Sequence, residues 1–187
     1  MLPTPLHPAV VHFPIVLALL LPLVVAGVWF AIRRYGVSPA RVWLVAIAFS
    51  TALFLATWTA IRTGEAQEDT VEDVISGERV LHAHEEAAER LFIAAGLLLV
   101  LTPLGLLRGR AGSLARGATA LASLAAVAVM VPVGRSGGEL VYRHGAAQAY
   151  VATTARTGAE RAPAASESER SRNGGVRERE REGDESR

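Results

Sequence analysis

The sequence predicts an all-α protein: a four-helix transmembrane bundle built from two repeated hairpins, followed by a disordered polar C-terminal tail. Three observations carry this reading. Four apolar stretches have roughly the length that crosses a hydrocarbon core, arginines gather in the short turns between them, and apolar side chains all but vanish after residue 152. Residues 1–152 therefore read as the membrane domain and 153–187 as the tail.

The apolar stretches are 13–32, 42–61, 91–107 and 115–133, uncharged except for Arg116. The last is the least hydrophobic and contains Ser123. The first lacks a basic segment ahead of it, so it is expected to persist as a helix and not to be cleaved as a signal. Between the first and second stretches stand Arg33, Arg34 and Arg41, and between the third and fourth stand Arg108 and Arg110, without any acid. The connection 62–90 is longer and acidic, with Glu65, Glu68, Asp69, Glu72 and Asp73. The positive-inside rule then puts both arginine turns in the cytoplasm and both termini outside a multi-pass cell-membrane protein. Within the long connection, Val71, Val74, Ile75 and Val80 recur among acids at helical spacing, so 70–81 reads as a surface amphipathic helix or a solvated linker. The tail alternates Arg and Glu among Ser, Gly and Ala and cannot offset the entropy of ordering.

Composition narrows the chemistry. The net charge of +1 gives no field that would attract nucleic acid. There is no Cys, which excludes disulfides, thiolate metal sites, c-type haem attachment and a cysteine nucleophile. No nucleotide or flavin motif is present. What remains are five histidines, His7, His12, His82, His84 and His144, and with four spans all of them fall on one side of the membrane.

The halves resemble each other. Each begins with histidine, crosses, turns on arginines, crosses back and leaves through Arg62-Thr63-Gly64-Glu65 or Arg135-Ser136-Gly137-Gly138-Glu139. His12 to Arg62 spans 50 positions and His84 to Arg135 spans 51. This spacing makes His12 and His84 symmetry mates about an axis along the membrane normal. Neutral imidazole ligates haem iron, copper and zinc, and inward histidines on facing helices of a bundle suit bis-histidine haem. His12 and His84 are thus the expected ligands, with haem b the first choice of cofactor and copper the second. Their heights conflict, however, because His84 precedes its apolar stretch by seven residues. Pro8 suits a first helical position and leaves His7 in the incoming coil, free to fold over the bundle mouth. His144 follows Gly137 and Gly138, which would permit a re-entrant turn. His82 and His84 face nearly opposite ways on a helix, and His84 is preferred. Arg62 and Arg135 either anchor helix ends at headgroups, with Gly64 and Gly137 as helix stops, or pair with a haem propionate or with Glu65 and Glu139. The run Glu85, Glu86, Glu89 and Arg90 is a solvated helix face.

Through Leu6-His7-Pro8-Ala9-Val10-Val11-His12-Phe13-Pro14-Ile15, Thr63-Gly64-Glu65-Ala66, His84-Glu85 and Gly137-Gly138-Glu139-Leu140-Val141-Tyr142-Arg143-His144-Gly145, the chain resembles the bacterial predicted membrane proteins of domain of unknown function 2231. The resemblance implies a four-helix membrane domain without an established activity and maps motif histidines to His7, His12, His84 and His144. Similarity to membrane b-type cytochromes is looser and rests on architecture. The functional expectation is haem or metal binding at the outer face, for electron transfer or redox sensing, with other membrane redox proteins or a second copy as partners. The competing expectation is a cofactor-free structural subunit whose Gly and Ala helix faces pack closely in the lipid bilayer.

Overall fold

A computed structural model describes residues 6–72, 78–149 and 151; the tail 153–187 lies outside them. The described residues form helices and connecting turns, and four helical segments are long and apolar enough to cross a membrane: His7–Tyr35, Pro39–Glu65, Arg79–Leu106 and Gly109–Tyr142. The first begins with a single turn, α1 (His7–Val10), and continues as α2 (His12–Tyr35). Gly36, at φ 62°, ends α2 in the left-handed conformation that a glycine adopts without a Cβ penalty. Pro39 opens α3 (Pro39–Glu65) at a position where its missing N–H costs nothing. After a short α4 (Glu68–Glu72), α5 (Glu78–Leu101) tightens into a 3-10 turn at Thr102–Leu106, where Pro103 interrupts the α-helical pattern. The chain then returns through α6 (Gly109–Tyr142).

The helices form a ring in the order α2, α3, α5, α6, so α2 stands diagonally from α5 and α3 from α6. The core has the composition of a membrane bundle. Beside Leu21, Leu53 and Leu98 it buries Ser50, Thr57, Thr102, Thr119 and Ser123, while Phe13, Leu23, Leu97, Leu114 and Leu121 face outward. Lipid tails are as apolar as Leu, so small and hydroxyl side chains collect where helices meet. Most hydroxyls donate to a carbonyl of their own helix, as Thr57 does to Leu53 O at 2.8 Å. Ser50 instead donates across helices to Thr102 Oγ1 at 3.0 Å, while Thr102 Oγ1 donates to Leu98 O at 2.7 Å and Trp43 Nε1 donates to Thr102 O at 2.7 Å.

Burial exposes the repeat. Of the buried positions of α3, Trp43, Ala46, Ser50, Leu53 and Thr57 have buried counterparts in α6 73 positions later, at Arg116, Thr119, Ser123, Ala126 and Met130. In α2 the buried positions are Pro14, Ala18, Leu21 and Val25, which Leu91, Ala95, Leu98 and Thr102 follow at 77. The same offset of 77 relates His7 to His84, not His12 to His84. The first half is thus longer than the second by about one helical turn, which the nearly equal counts from His12 and His84 conceal.

Three local expectations are corrected. Gly137 and Gly138 make no re-entrant turn and end no helix, since α6 runs through them to Tyr142 and the chain turns later, near Gly145 at φ 69°. Val80 and Leu81 belong to the start of α5, where Leu81 packs with Leu140 and Ala146 and does not lie on a surface; residues 73–77 of the expected helix 70–81 lie outside the described segments. The height conflict between His12 and His84 falls away because the level partner of His84 is His7: His84 stands seven positions before Leu91 as His7 stands seven before Pro14, the matched buried position of α2.

Candidate functional site

At the mouth of the bundle opposite the arginine turns, the rings of His7 and His84 approach across the diagonal. Their centres are 6.5 Å apart and their planes cross at 85°. Each histidine leans on the returning helix of its own hairpin, in the same way. His7 Nδ1 lies 2.9 Å from Ala60 O and 3.2 Å from Thr63 Oγ1. His84 Nδ1 lies 2.9 Å from Ser136 Oγ, with the backbone of Val133 as a further partner. Ala60 and Val133, like Thr63 and Ser136, stand 73 positions apart.

These contacts fix the tautomer. Thr63 Oγ1 has one proton, which goes to Thr59 O or Ala60 O, both at 3.0 Å. Ser136 Oγ likewise donates to Pro132 O at 2.9 Å or Val133 O at 3.2 Å. Carbonyls only accept, so the contacts with Ala60 O and with the Val133 backbone make Nδ1–H the donor in each ring, and the hydroxyls, which have carbonyls of their own helix to donate to, accept from it. The neutral imidazoles therefore keep their lone pairs on Nε2. An Nδ1–H held by a backbone carbonyl or hydroxyl is the arrangement that orients a metal-ligating histidine and raises its basicity.

Glycine makes room for both rings. A Cβ built at Gly64 would lie 3.2 Å from His7 Cε1, and one at Gly137 would lie 3.2 Å from His84 Cε1. That is why α6 carries a glycine in mid-helix despite the cost in helix propensity. The helical exit motif is thus half of a histidine cradle, and Thr63-Gly64 and Ser136-Gly137 are its two copies.

The remaining expected site residues lie elsewhere. His12, expected as a ligand, is exposed, because the turn of helix α1 before it carries His7 into the inward register. His82 is exposed and pairs with Glu85 at 3.1 Å. His144 is half-buried past the end of α6, and no ring contact or hydrogen bond of its imidazole joins it to the pair. Arg62 pairs with Glu65 at 2.9 Å on the surface. Arg135 is exposed and not paired with Glu139, which meets Arg143 at 3.2 Å; the extra residue Gly138 rotates Glu139 away by about 100°. Sequence reasoning missed Thr63 and Ser136 as anchors, although both stood in the exit motifs beside the glycines.

The family model for predicted membrane proteins designated DUF2231 matches residues 3–150. The chain belongs to this family. The match spans the four candidate crossing helices and both halves of the cradle, so this DUF2231 member is a multi-pass membrane protein with the paired histidines inside the family region. No curated protein and no solved structure matches it.

Proposed function

We propose that the protein binds one haem b between His7 and His84 and passes single electrons at the outer face of the cell membrane. The observation that carries this is the pair of Nδ1-anchored imidazoles, 6.5 Å between centres, related by the internal two-fold. With metal–nitrogen bonds of about 2.0 Å and a ring centre about 1.1 Å behind its nitrogen, two imidazoles on opposite sides of one metal have centres about 6 Å apart. The donor set also favours haem over a bare ion. Among the described residues there is no cluster of three or more His, Cys, Asp or Glu side chains able to hold a metal, whereas zinc usually takes four ligands and haem brings four nitrogens of its own. Bound haem would supply reversible one-electron chemistry, with bis-histidine ligation suited to transfer. Copper held by the same two rings is the second choice.

The chain's residues orient and insulate. Thr63, Ser136 and the carbonyls of Ala60 and Val133 aim the rings; Gly64 and Gly137 let them sit close to the helices. The arginine turns, read with the positive-inside rule, support an outer-face position for the pair, with both termini on that side. Electrons would come from and go to other membrane redox proteins, because no nucleotide or flavin motif is present.

Haem titration into the purified protein tests this. One equivalent should produce a saturable Soret band that is lost in His7→Ala and in His84→Ala but kept in His12→Ala, His82→Ala and His144→Ala. A wild-type protein that takes up neither haem nor a stoichiometric metal overturns the proposal and favours the cofactor-free subunit.

A further inference from the structure

The opposite end of the bundle holds a buried cation with no anion beside it among the described residues. Arg116, the repeat mate of Trp43, is only 9% exposed. Its Nη1 donates to Gly105 O in the turn between α5 and α6, and its guanidinium lies 6.0 Å from the Trp43 ring centre. Its Nε is buried without a hydrogen-bond partner. No acid stands anywhere between residues 14 and 61 or between 91 and 138, so this end carries Arg33, Arg34, Arg41, Arg108, Arg110 and Arg116 and no carboxylate.

An ionised group in such a place is expensive unless something compensates it. One carbonyl and the edge of an indole do so incompletely, and a buried unsatisfied donor calls for a partner. Side chains of a helix lean toward its N-terminus, which carries the guanidinium back toward the turn and the membrane surface. Gly112 leaves room beside the guanidinium: a Cβ there would lie 3.3 Å from Arg116 Nη1 and collide with Leu107 O. No described residue supplies that partner, and a phosphate oxygen matches the guanidinium edge that Nη1 leaves unclaimed.

We propose that Arg116 anchors a phosphate-binding site at the arginine-turn end of the bundle, occupied by the phosphate of an anionic lipid headgroup or by free phosphate. The surrounding surface arginines raise the local phosphate concentration; Arg116 makes the contact that salt does not screen.

Native mass spectrometry of the detergent-purified full chain, with dioleoyl phosphatidylglycerol, dioleoyl phosphatidylcholine or inorganic phosphate added, tests this. One tightly held phosphatidylglycerol that survives raised salt identifies the lipid source, and one phosphate adduct with no lipid preference identifies the free anion. Arg116→Gln should weaken that binding about tenfold or more, and Arg116→Lys, which keeps the charge and loses the planar edge, should weaken it several-fold. The double variant Arg108→Gln/Arg110→Gln should keep the salt-resistant ligand. Neither adduct in the wild type overturns the site. So does binding that disappears with salt or in the double variant, or that is unchanged in Arg116→Lys.

Discussion

Individual side chains decide which histidines can act together. His7 and His84 differ from His12 and His82 not in chemistry but in what stands opposite them: a glycine that yields space and a hydroxyl that takes the Nδ1 proton. Partners of this kind are worth about 10–100-fold in metal affinity. Ser136→Ala is therefore expected to weaken haem binding about tenfold. Thr63→Val should cost less, because Thr63 Oγ1 at 3.2 Å is the more distant partner of His7 after Ala60 O at 2.9 Å, whereas Ser136 Oγ makes the 2.9 Å contact of His84 and the Val133 backbone only adds to it. Haem titration of the two variants checks the ranking, and equal or absent effects would mean that the hydroxyls do not position the rings. Gly64→Ala and Gly137→Ala place a Cβ 3.2 Å from a ring carbon. Each should displace its imidazole by a few tenths of an ångström and lower affinity without unfolding the bundle.

At the level of the helices, the four spans, their arginine turns and the two-hairpin repeat were legible in the sequence, because bilayer thickness imposes length and apolarity directly. The register of the repeat was not. In a soluble bundle the inward stripe is the apolar one, but here Ser50, Thr57, Thr119, Ser123 and Arg116 point inward and Phe13, Leu97 and Leu121 point to lipid, so hydrophobicity does not mark the core. Spacing from the exit arginines then favoured His12, which lies outside the inward register of α2. The 3-4 spacing of buried positions, read against both halves, is the signal that places His7 with His84. Packing at the turn end follows from the same small residues. A Cβ at Gly105 would lie 2.2 Å from Trp43 Nε1, so Gly105→Ala should destabilise the protein by about 1–3 kcal/mol through overpacking. Ser50→Ala, which removes one interhelical hydrogen bond, should cost about 0.6 kcal/mol. Detergent-unfolding curves of the two variants measure both, and a larger loss for Ser50→Ala would contradict this account of the core.

For the molecule as a whole, polarity along the bundle axis is the organising fact. One end carries the histidine pair and all the acids of the described chain, and the other carries arginines alone. The absence of native cysteine makes that polarity easy to map. With a membrane-impermeant maleimide on intact cells, Asp69→Cys and Glu89→Cys should be labelled, and Ser38→Cys and Arg110→Cys only after lysis. The opposite pattern would reverse the orientation and leave the one-sided histidines intact, whereas a mixed pattern would contradict the four-span arrangement. The central claim is that His7 and His84 together hold one haem, and electron paramagnetic resonance of the oxidised, haem-loaded protein tests it most directly. Two imidazoles with planes 85° apart predict a low-spin ferric signal of the strongly anisotropic kind that near-perpendicular axial ligands produce, lost in either His7→Ala or His84→Ala. A high-spin signal in the wild type, or a low-spin signal that survives both substitutions, would contradict it.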